Sequence, residues 1–374
     1  MTDFPMDVVV GILSRIPVKP LLRFRCVSKQ FRAIIDSHAF IRLHLKRSME
    51  TKNHLSLIVP NNILCSVDLS KIKISLRSLD LDSLGRVEEL SHPFESKDSS
   101  ITKVWGYCHG LVCLGNTKGD LVVWNPWTRK SQELPSIKID FPDSLFLGKN
   151  ISYGFGYDSV SDDYKVVRFV QLYNQPIADT FASEVKVYNM KSNSWRSIQD
   201  FPYWFRDYQS RGVLIGSALH WVVSRKPLSD IAKFIVAFDL AAEDYQLLPL
   251  PEYFGEYSDM HLVELGGCLC TICTCKGFPN DIWVMKDYRV NESWSKLFSV
   301  APPPQAPEPF KFLVPLAYSK SGFEVLLIQG GTKLFWYDIN RKRIKTTKTC
   351  ANGGSVVCME SLVPLSGGGE KYAK

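Results

Sequence analysis

The spacing of hydrophobic positions changes after about residue 50. In residues 6 to 45, apolar residues recur at intervals of three and four, as at Val8, Ile12 and Ile16, which is the spacing of one helical face. From residue 54 onward, short apolar runs alternate with turn residues, and no run keeps a helical period. The pattern predicts a small N-terminal helical module followed by a long, mainly β domain.

Prolines and a serine divide the N-terminal module into three predicted helices. Pro5 suits the start of a first helix, and Pro17 and Pro20 end it, because proline has no amide donor and disfavours helix before it. Ser28 is placed to cap a third helix. Three short helices cannot bury a core alone, so their excess apolar surface needs either the rest of the chain or a partner. A simple helical cap on the β domain is the alternative.

A short motif recurs through the β region. An apolar strand ends in Asn or Asp, a tight turn follows, and another apolar residue comes six positions after the Asn or Asp. Successive copies, centred on residues 125, 189, 239, 286 and 338, are 64, 50, 47 and 52 residues apart. A repeat of about 50 residues with four short strands is typical of a β-propeller blade. The clear copies are Asn189 with Trp195, Asp239 with Tyr245, and Asp338 with Ile344.

The repeat predicts a propeller of six blades. A sixth blade would combine strands from 54–82 with a C-terminal strand within 355–364, which closes the ring and removes open sheet edges. Five or seven blades are the alternatives, and a pair of β-sandwiches would not repeat every 50 residues. The five continuous blades are predicted at 107–134, 153–198, 211–250, 261–300 and 314–347.

The N-terminal module resembles an F-box. The segment from Ile12 to Arg32 matches the plant F-box pattern almost residue for residue, with Phe4 in place of the usual Leu before Pro5 and Phe31 in place of the usual Trp. The resemblance implies a domain at 1–47 that docks on the Skp1 subunit of a cullin-type ubiquitin ligase. The residues that it implies for Skp1 binding are Pro5, Ile12, Leu13, Ile16, Pro17, Leu22, Val27 and Phe31.

The β region resembles the type 1 F-box-associated, kelch-like domain of plant F-box proteins. The resemblance implies a propeller at 54–365 and leaves 366–374 as a flexible tail. Within that family, the chain is most similar to the constitutive expresser of pathogenesis-related genes type, which regulates plant immune receptors. The residues that carry the resemblance are those at 108–114, 123–129, 153–168, 219–221 and 287–294.

Together the two resemblances imply a non-catalytic adaptor. Such a protein is the substrate-recognition subunit of a Skp1–cullin–F-box (SCF) ligase, and it marks a protein, such as an immune receptor, for ubiquitination and degradation. An S-locus-type F-box protein that recognises a ribonuclease is one alternative. A ligand-binding or enzymatic propeller unrelated to ubiquitin is another, from a different class.

Composition is consistent with a soluble protein that does not bind nucleic acid. The formal charge is +7, but residues 1 to 50 hold nine Lys or Arg against four Asp or Glu, which leaves 36 against 34 in the remainder. Phosphate-binding domains usually concentrate basic residues on one face of their own. No signal peptide or apolar run of membrane-spanning length is recognisable. We therefore expect the protein in the cytoplasm and nucleus.

The residues that could carry chemistry do not form a catalytic pattern. The cysteines at 268, 270, 273 and 275 would point to both faces of one strand and so could not surround a single zinc ion. His109 and His220 stand among apolar strand residues with no paired nucleophile. Asp158, Asp162 and Asp163 fit a solvated hairpin better than a calcium loop. We predict no enzyme activity, cofactor or metal.

Loop lengths predict where a protein substrate binds. Turns between the first and second and between the third and fourth strands of each blade are short, whereas the connections at 136–150, 171–183, 200–210, 224–233, 252–260 and 301–312 are long. Long loops on a rigid scaffold often carry binding residues, although they are also tolerated as plain insertions. A loop that packs back on the propeller is the alternative for the best candidate residues, which are Tyr203, Trp204, Phe205 and Arg206.

Overall fold

A computed structural model of the chain describes residues 5–60, 64–69, 88–94, 102–141, 148–174, 181–205, 211–227, 233–250, 259–274, 279–301, 313–350, 354–365 and 371–372. In these residues it contains four α-helices followed by six antiparallel sheets. The mainly β, six-bladed propeller predicted from the repeat is thereby confirmed. The chain divides into two compact units, one holding the helices with β1 to β7, β25 and β26, and the other holding β8 to β24.

The helical module has four helices, one more than the sequence predicted. Ser28 caps α3, as expected, by accepting a bond from the Phe31 amide, and Ser37 caps α4 in the same way. The fourth helix was missed because its buried face carries His44 and Ser48 behind Phe40, which weakens the apolar signal. The helices are α1 (Met6–Leu13), α2 (Val18–Phe24), α3 (Lys29–Ile35) and α4 (His38–Thr51).

The first unit contains two of the sheets. One has the order β25, β1, β2, β3, and the other β26, β7, β6, β5, β4. The strands are β1 (Leu55–Pro60), β2 (Leu64–Asp68), β3 (Glu88–Glu89), β4 (Lys103–Cys108), β5 (Leu111–Gly115), β6 (Leu121–Asn125), β7 (Lys130–Glu133), β25 (Val356–Met359) and β26 (Lys371–Tyr372).

The second unit contains the other four sheets, three of which have their strands in chain order, whereas in the fourth β12 and β13 both pair with β14. A 3₁₀ turn at Asn291–Ser293 precedes β20. The strands are β8 (Gly148–Asp158), β9 (Asp163–Tyr173), β10 (Ala182–Asn189), β11 (Ser194–Ser197), β12 (Trp204–Phe205), β13 (Val213–Ile215), β14 (Ala218–Ser224), β15 (Phe234–Asp239), β16 (Tyr245–Leu248), β17 (Asp259–Leu265), β18 (Cys268–Thr274), β19 (Asn280–Met285), β20 (Trp294–Val300), β21 (Leu313–Tyr318), β22 (Glu324–Gln329), β23 (Lys333–Asp338) and β24 (Arg343–Cys350).

The sheet built from both ends of the chain forms as predicted. Strand β25 pairs antiparallel with β1, so that Ser56 lies opposite Cys358 and Ile58 opposite Val356. The segment after β25 is then fixed by Asn125, whose amide nitrogen donates to the carbonyls of Ser361 and Val363 at 3.1 and 2.9 Å. Strand β26, in the segment predicted as a flexible tail, pairs with β7.

The recurring Asn or Asp of the repeat is the first residue of a turn. The Asp239 carboxylate accepts bonds from the amides of Ala241 and Ala242, and Glu243, four positions after it, has a left-handed φ of 56°. A carboxylate or amide oxygen that bonds amides two and three residues ahead stabilises such a turn. Left-handed residues stand at the same offset in three other copies, at Arg129, Asn193 and Lys342.

Replacing Asn125 by Ala should destabilise the protein by roughly 2 to 4 kcal/mol, because two buried carbonyls lose their donor. Chemical denaturation measures the loss. Asn189→Ala is the matched control: Asn189 occupies the same repeat position, is half-buried, and its side chain makes no hydrogen bond within the described residues. Equal losses in the two variants would contradict the role given to Asn125.

Candidate functional site

The helical module exposes apolar side chains that a folded domain would normally bury. Val27 is 67% exposed, Ile12 56% and Val8 46%. Val8 and Ile12 are one turn apart on α1 and therefore lie on the same face of that helix. Single exposed apolar residues are common, but several within thirty residues are typical of an interaction surface.

The module's interior does not need these exposed residues. Leu21 and Phe40 are almost completely buried, and Leu362 from the C-terminal segment packs with them. Trp127, in the turn between β6 and β7, packs against the same cluster, and its indole nitrogen donates to the Met359 carbonyl at 2.9 Å. The core is thus completed by the propeller strands of the same unit, which leaves the outer face of α1 without an intramolecular role.

The loop between α1 and α2 is tied to the C-terminal segment. The residue that precedes α2 is Pro17, whose side chain cannot accept a hydrogen bond from the helix. Instead, a carboxylate oxygen of Glu360 accepts the amide hydrogen of Val18 at 2.9 Å. Negative charge at a helix N-terminus is stabilising because it satisfies a free amide and opposes the helix dipole. The bond joins the helices to the residue that directly follows β25.

Two further contacts fix the helices against one another. The Phe24 and Phe31 rings meet edge to face with centroids 6.3 Å apart, which joins α2 to α3. The ring of His44 on α4 donates to the Ile16 carbonyl at 3.0 Å, and burial lowers the pKa of this histidine. Val27, which immediately precedes the cap of α3, is therefore held outward on a fixed scaffold.

The predicted docking residues fall into three groups in the structure. Pro5, Ile12 and Val27 are exposed. Leu13 is 4% exposed and lies inside the module, so its prediction as a contact residue is wrong: a leucine at helical spacing does not reveal which side of the helix a partner takes. Sequence reasoning missed Val8, although its spacing from Ile12 was visible. The half-buried group consists of Ile16, Pro17, Leu22 and Phe31.

The predicted substrate-binding loop is largely internal. Trp204 is 7% exposed and its ring lies edge-on to those of Tyr173 and Phe181, at 5.4 and 5.3 Å. Phe205 is 1% exposed and joins the core of the second unit, and both residues pair with β14. The interpretation of Trp204 and Phe205 as exposed anchors is wrong, and the packed alternative is correct.

The remaining part of the substrate-loop prediction is only partly described. Tyr203 is half-buried, and its carbonyl accepts a bond from the Gln171 side chain at 2.6 Å. Arg206 lies outside the described residues, as does part of each long connection. Many short connections lie between the first and second or the third and fourth strands of a sheet, as strand counting placed them. Residues 330–332, however, join the second and third strands β22 and β23, so loop length does not separate the two kinds of connection in every sheet.

His220 is a structural residue. Its Nδ1–H donates to the Val213 carbonyl at 3.0 Å, which leaves Nε2 to accept from the Tyr288 hydroxyl at 2.7 Å. The ring is fully buried, and this burial lowers its pKa to about 4. The neutral ring satisfies both neighbours, and no nucleophile is bonded to it. His109 lies in the tight turn between β4 and β5 with a φ of 52°.

The sequence predicted that the acidic hairpin after β8 would be solvated, but two of its three carboxylates, those of Asp158 and Asp163, are buried. Asp158 is buried and forms an ion pair with Lys165 at 2.8 Å. Lys165 also reaches Glu243 at 2.9 Å and the Leu240 carbonyl at 2.6 Å. The Asp158 carboxylate accepts further bonds from the turn that follows, and together with Lys165 these hold its pKa at about 2 despite its burial. The group therefore stabilises contacts between sheets.

Three cysteines of the predicted cluster, Cys268, Cys270 and Cys273, lie on β18, and Cys275 lies outside the described residues. Cys270 packs in the core cluster between the last two sheets of the second unit, and burial raises its pKa. Burial also raises the pKa of Cys273 to about 12. No cluster of three or more metal-binding side chains occurs among the residues that the structure describes. None of the helices described is long and apolar enough to cross a membrane.

Comparison with known proteins gives a consistent result. Residues 1–43 match the F-box domain model, and residues 62–353 match the F-box associated beta propeller domain model. F-box protein CPR1 of Arabidopsis thaliana is 37% identical over the whole chain and 92% of its own length. An F-box/kelch-repeat protein of Arabidopsis thaliana is 32% identical over 80% of the chain and 79% of its own length.

The low pKa of His220 predicts a stability that falls in acid. The folded ring stays neutral down to about pH 4, whereas the unfolded ring takes up a proton near its ordinary pKa of 6.5. The contribution is complete above pH 6.5 and is lost as the pH falls toward 4, by about 2 kcal/mol at pH 5. Denaturation at pH 7.5 and at pH 5 should show a smaller difference for His220→Gln than for the parent protein.

The matched control for this experiment is Tyr288→Phe, which removes the hydroxyl bonded to His220 but keeps the titrating ring. It should retain most of the parent's dependence on pH. An identical pH dependence in His220→Gln and in the parent would show that another group is responsible.

Proposed function

Because the chain belongs to the family of F-box proteins with an associated β-propeller domain, we propose that it is the substrate-recognition subunit of an SCF-type ubiquitin ligase. In this role the helical module binds a Skp1-like protein, and through it a cullin, while the propeller binds the protein to be ubiquitinated. The adaptor performs no bond-making step itself. The observation that carries the proposal is the exposure of Ile12 and Val27 on a module whose core is already complete.

The chemistry of the module's surface favours a protein partner. Fully burying a valine or isoleucine side chain stabilises a complex by about 1.5 to 3 kcal/mol. Two or three such residues supply enough free energy for specific binding. They are held on helices that need no rearrangement, so little conformational entropy is lost on binding. Half-buried Leu22 and Phe31 add surface at the rim while still packing against the module core.

The adaptor accelerates ubiquitin transfer by proximity. Binding the ligase and the substrate to one molecule makes the encounter between them intramolecular and raises their effective concentration. This effect requires a defined geometry between the two binding regions. The bond from Val18 to Glu360 and the packing of Leu362 among the helices support such a geometry, since they join the module directly to the blade strands.

For the substrate we propose a plant immune receptor, and for the site of action the cytoplasm and nucleus. The support is the resemblance to the regulator subgroup, together with 37% identity to F-box protein CPR1 over the whole chain. A variant unable to bind Skp1 would retain substrates without promoting their degradation. Proteins captured in plant cells by that variant, and stabilised there, should include immune receptors. Capture of a ribonuclease in their place would favour the S-locus-type alternative.

Replacing Ile12 and Val27 by Asp should abolish binding to a Skp1-like protein. Loss of buried interface anchors commonly costs more than about 2 kcal/mol, or at least about thirtyfold in affinity. Because both side chains are exposed, the thermal stability of the free chain should be unchanged. Calorimetric titration of the purified proteins measures the affinity.

The matched control is Val160→Asp, at an 83% exposed valine in the turn between β8 and β9. It introduces the same chemical change away from the helical module and should leave the affinity unaltered. Full binding by the double variant would overturn the docking proposal. A loss shared by the Val160 control would show a non-specific effect of charge.

A further inference from the structure

Two turns lie side by side at one end of the sheet formed by β21 to β24. Residues 319–323 join β21 to β22, and residues 339–342 join β23 to β24. The Ile339 amide donates to the Phe323 carbonyl at 3.0 Å, which holds the two turns together. We name this feature the basic turn pair. Its exposed side chains include those of Lys320, Phe323, Arg341, Lys342 and Arg343, the last of which begins β24.

The four exposed cations of the basic turn pair outnumber the two acids beside them, Glu324 and Asp338. Glu324 is engaged by Lys345, and Asp338 is buried, where it accepts the Arg341 amide at 2.9 Å. None of the four exposed basic side chains forms an ion pair within the described residues. Other surface cations do find acids, as Lys296 does with Asp281 at 2.6 Å. The charge is concentrated here although the chain beyond residue 50 is nearly neutral.

An exposed aromatic ring stands among these charges. Phe323 is 60% exposed, the largest such value for an aromatic side chain among the described residues. The core of its sheet is formed by other residues, among them Val325 and Tyr337, which lie opposite each other on β22 and β23. An exposed phenyl ring together with arginines is the composition of protein-binding hot spots, where aromatic and Arg residues are enriched.

The backbone beneath the surface is rigid. The Gly322 amide donates to the Ser319 carbonyl at 2.9 Å, and the Ser319 amide donates to the Glu324 carbonyl at 2.8 Å. Gly322 has a φ of 76°, a conformation that a residue with a side chain adopts only with strain. Lys342 takes the left-handed position of the recurring turn. A surface that is already ordered loses little entropy on binding, which favours affinity.

We propose that the basic turn pair binds an acidic segment of a protein, one in which carboxylates flank an apolar side chain. The carboxylates would pair with Arg341, Arg343 and their lysine neighbours, and the apolar residue would cover Phe323. Such an occupant relieves the repulsion between like charges and removes the ring from water. Nucleic acid fits less well. A protein that contacts successive phosphates of a nucleic acid backbone needs an extended basic stripe, whereas this surface comprises only two turns.

The proposal rests on the proposed function only for the identity of the occupant, which would be the recruited substrate. Binding of an acidic segment itself is independent of the ligase. A failure to bind a Skp1-like protein would therefore contradict the adaptor role and leave this surface unaffected, whereas a failure of the test below would contradict this surface alone.

The test uses the full chain on its own and a fluorescein-labelled peptide of glutamates interspersed with leucines, read by fluorescence anisotropy. Arg341→Glu with Arg343→Glu should weaken binding by about tenfold or more, and raising the salt to about 0.5 M should do the same. Phe323→Ser should weaken it by about threefold or more without changing its salt dependence. A peptide with glutamine in place of glutamate should not bind.

The charge-matched control is Lys118→Glu with Lys149→Glu, two exposed lysines outside the basic turn pair. It changes the net charge equally and should preserve binding, and thermal melting confirms that each variant is folded. Equal affinities in the two double variants would overturn the proposal. Tighter binding of an oligothymidylate or of anionic lipid vesicles than of the peptide, with no effect of Phe323→Ser, would overturn it in favour of a phosphate-bearing partner.

Discussion

The C-terminal segment at 354–365 is the constraint on which the rest of its unit depends. Strand β25 completes a sheet by pairing with β1, although about 300 residues of chain separate them. Immediately after this strand, Glu360 accepts the first amide of α2 and Leu362 enters the core of the helices. One stretch of chain therefore satisfies a sheet edge, a helix end and a hydrophobic core. Because these requirements are met together, the helices and the two sheets of this unit should unfold cooperatively.

This constraint explains why the helical module can expose apolar surface without losing its structure. Four short helices of some fifty residues would otherwise use every available apolar face for internal packing, since small domains bury too little surface. Leu362 and Trp127 supply part of that packing from outside the module. The outer face of α1, with Val8 and Ile12, is thereby released from a structural role. Stability obtained from the propeller strands permits a binding surface on the helices.

The sequence predicted the features that depend on local spacing. The Asn or Asp of the repeat, as at Asp239, recurs about every 50 residues, and in four of the five copies a left-handed residue turns the chain four positions later. The spacing therefore located most of the sheets, and closure of the ring predicted the one completed by β25. The sequence failed where the prediction depended on which way a side chain points. Leu13 and Trp204 are buried, but an apolar residue type does not distinguish a side chain that faces the core from one that faces a partner.

The sequence also failed to show that some polar residues are buried. Asp158 and Lys165 look like surface residues of a hairpin, yet they lie buried and paired because Glu243 and the Leu240 carbonyl come from a neighbouring sheet to complete their bonds. A buried charge is tolerated when such partners are present and is strongly unfavourable when they are absent. Sequence spacing within one hairpin contains no information about partners about 75 residues away. The four exposed cations of the basic turn pair follow the same rule: they form no ion pair within the described residues and remain at the surface, where an external partner can supply acids.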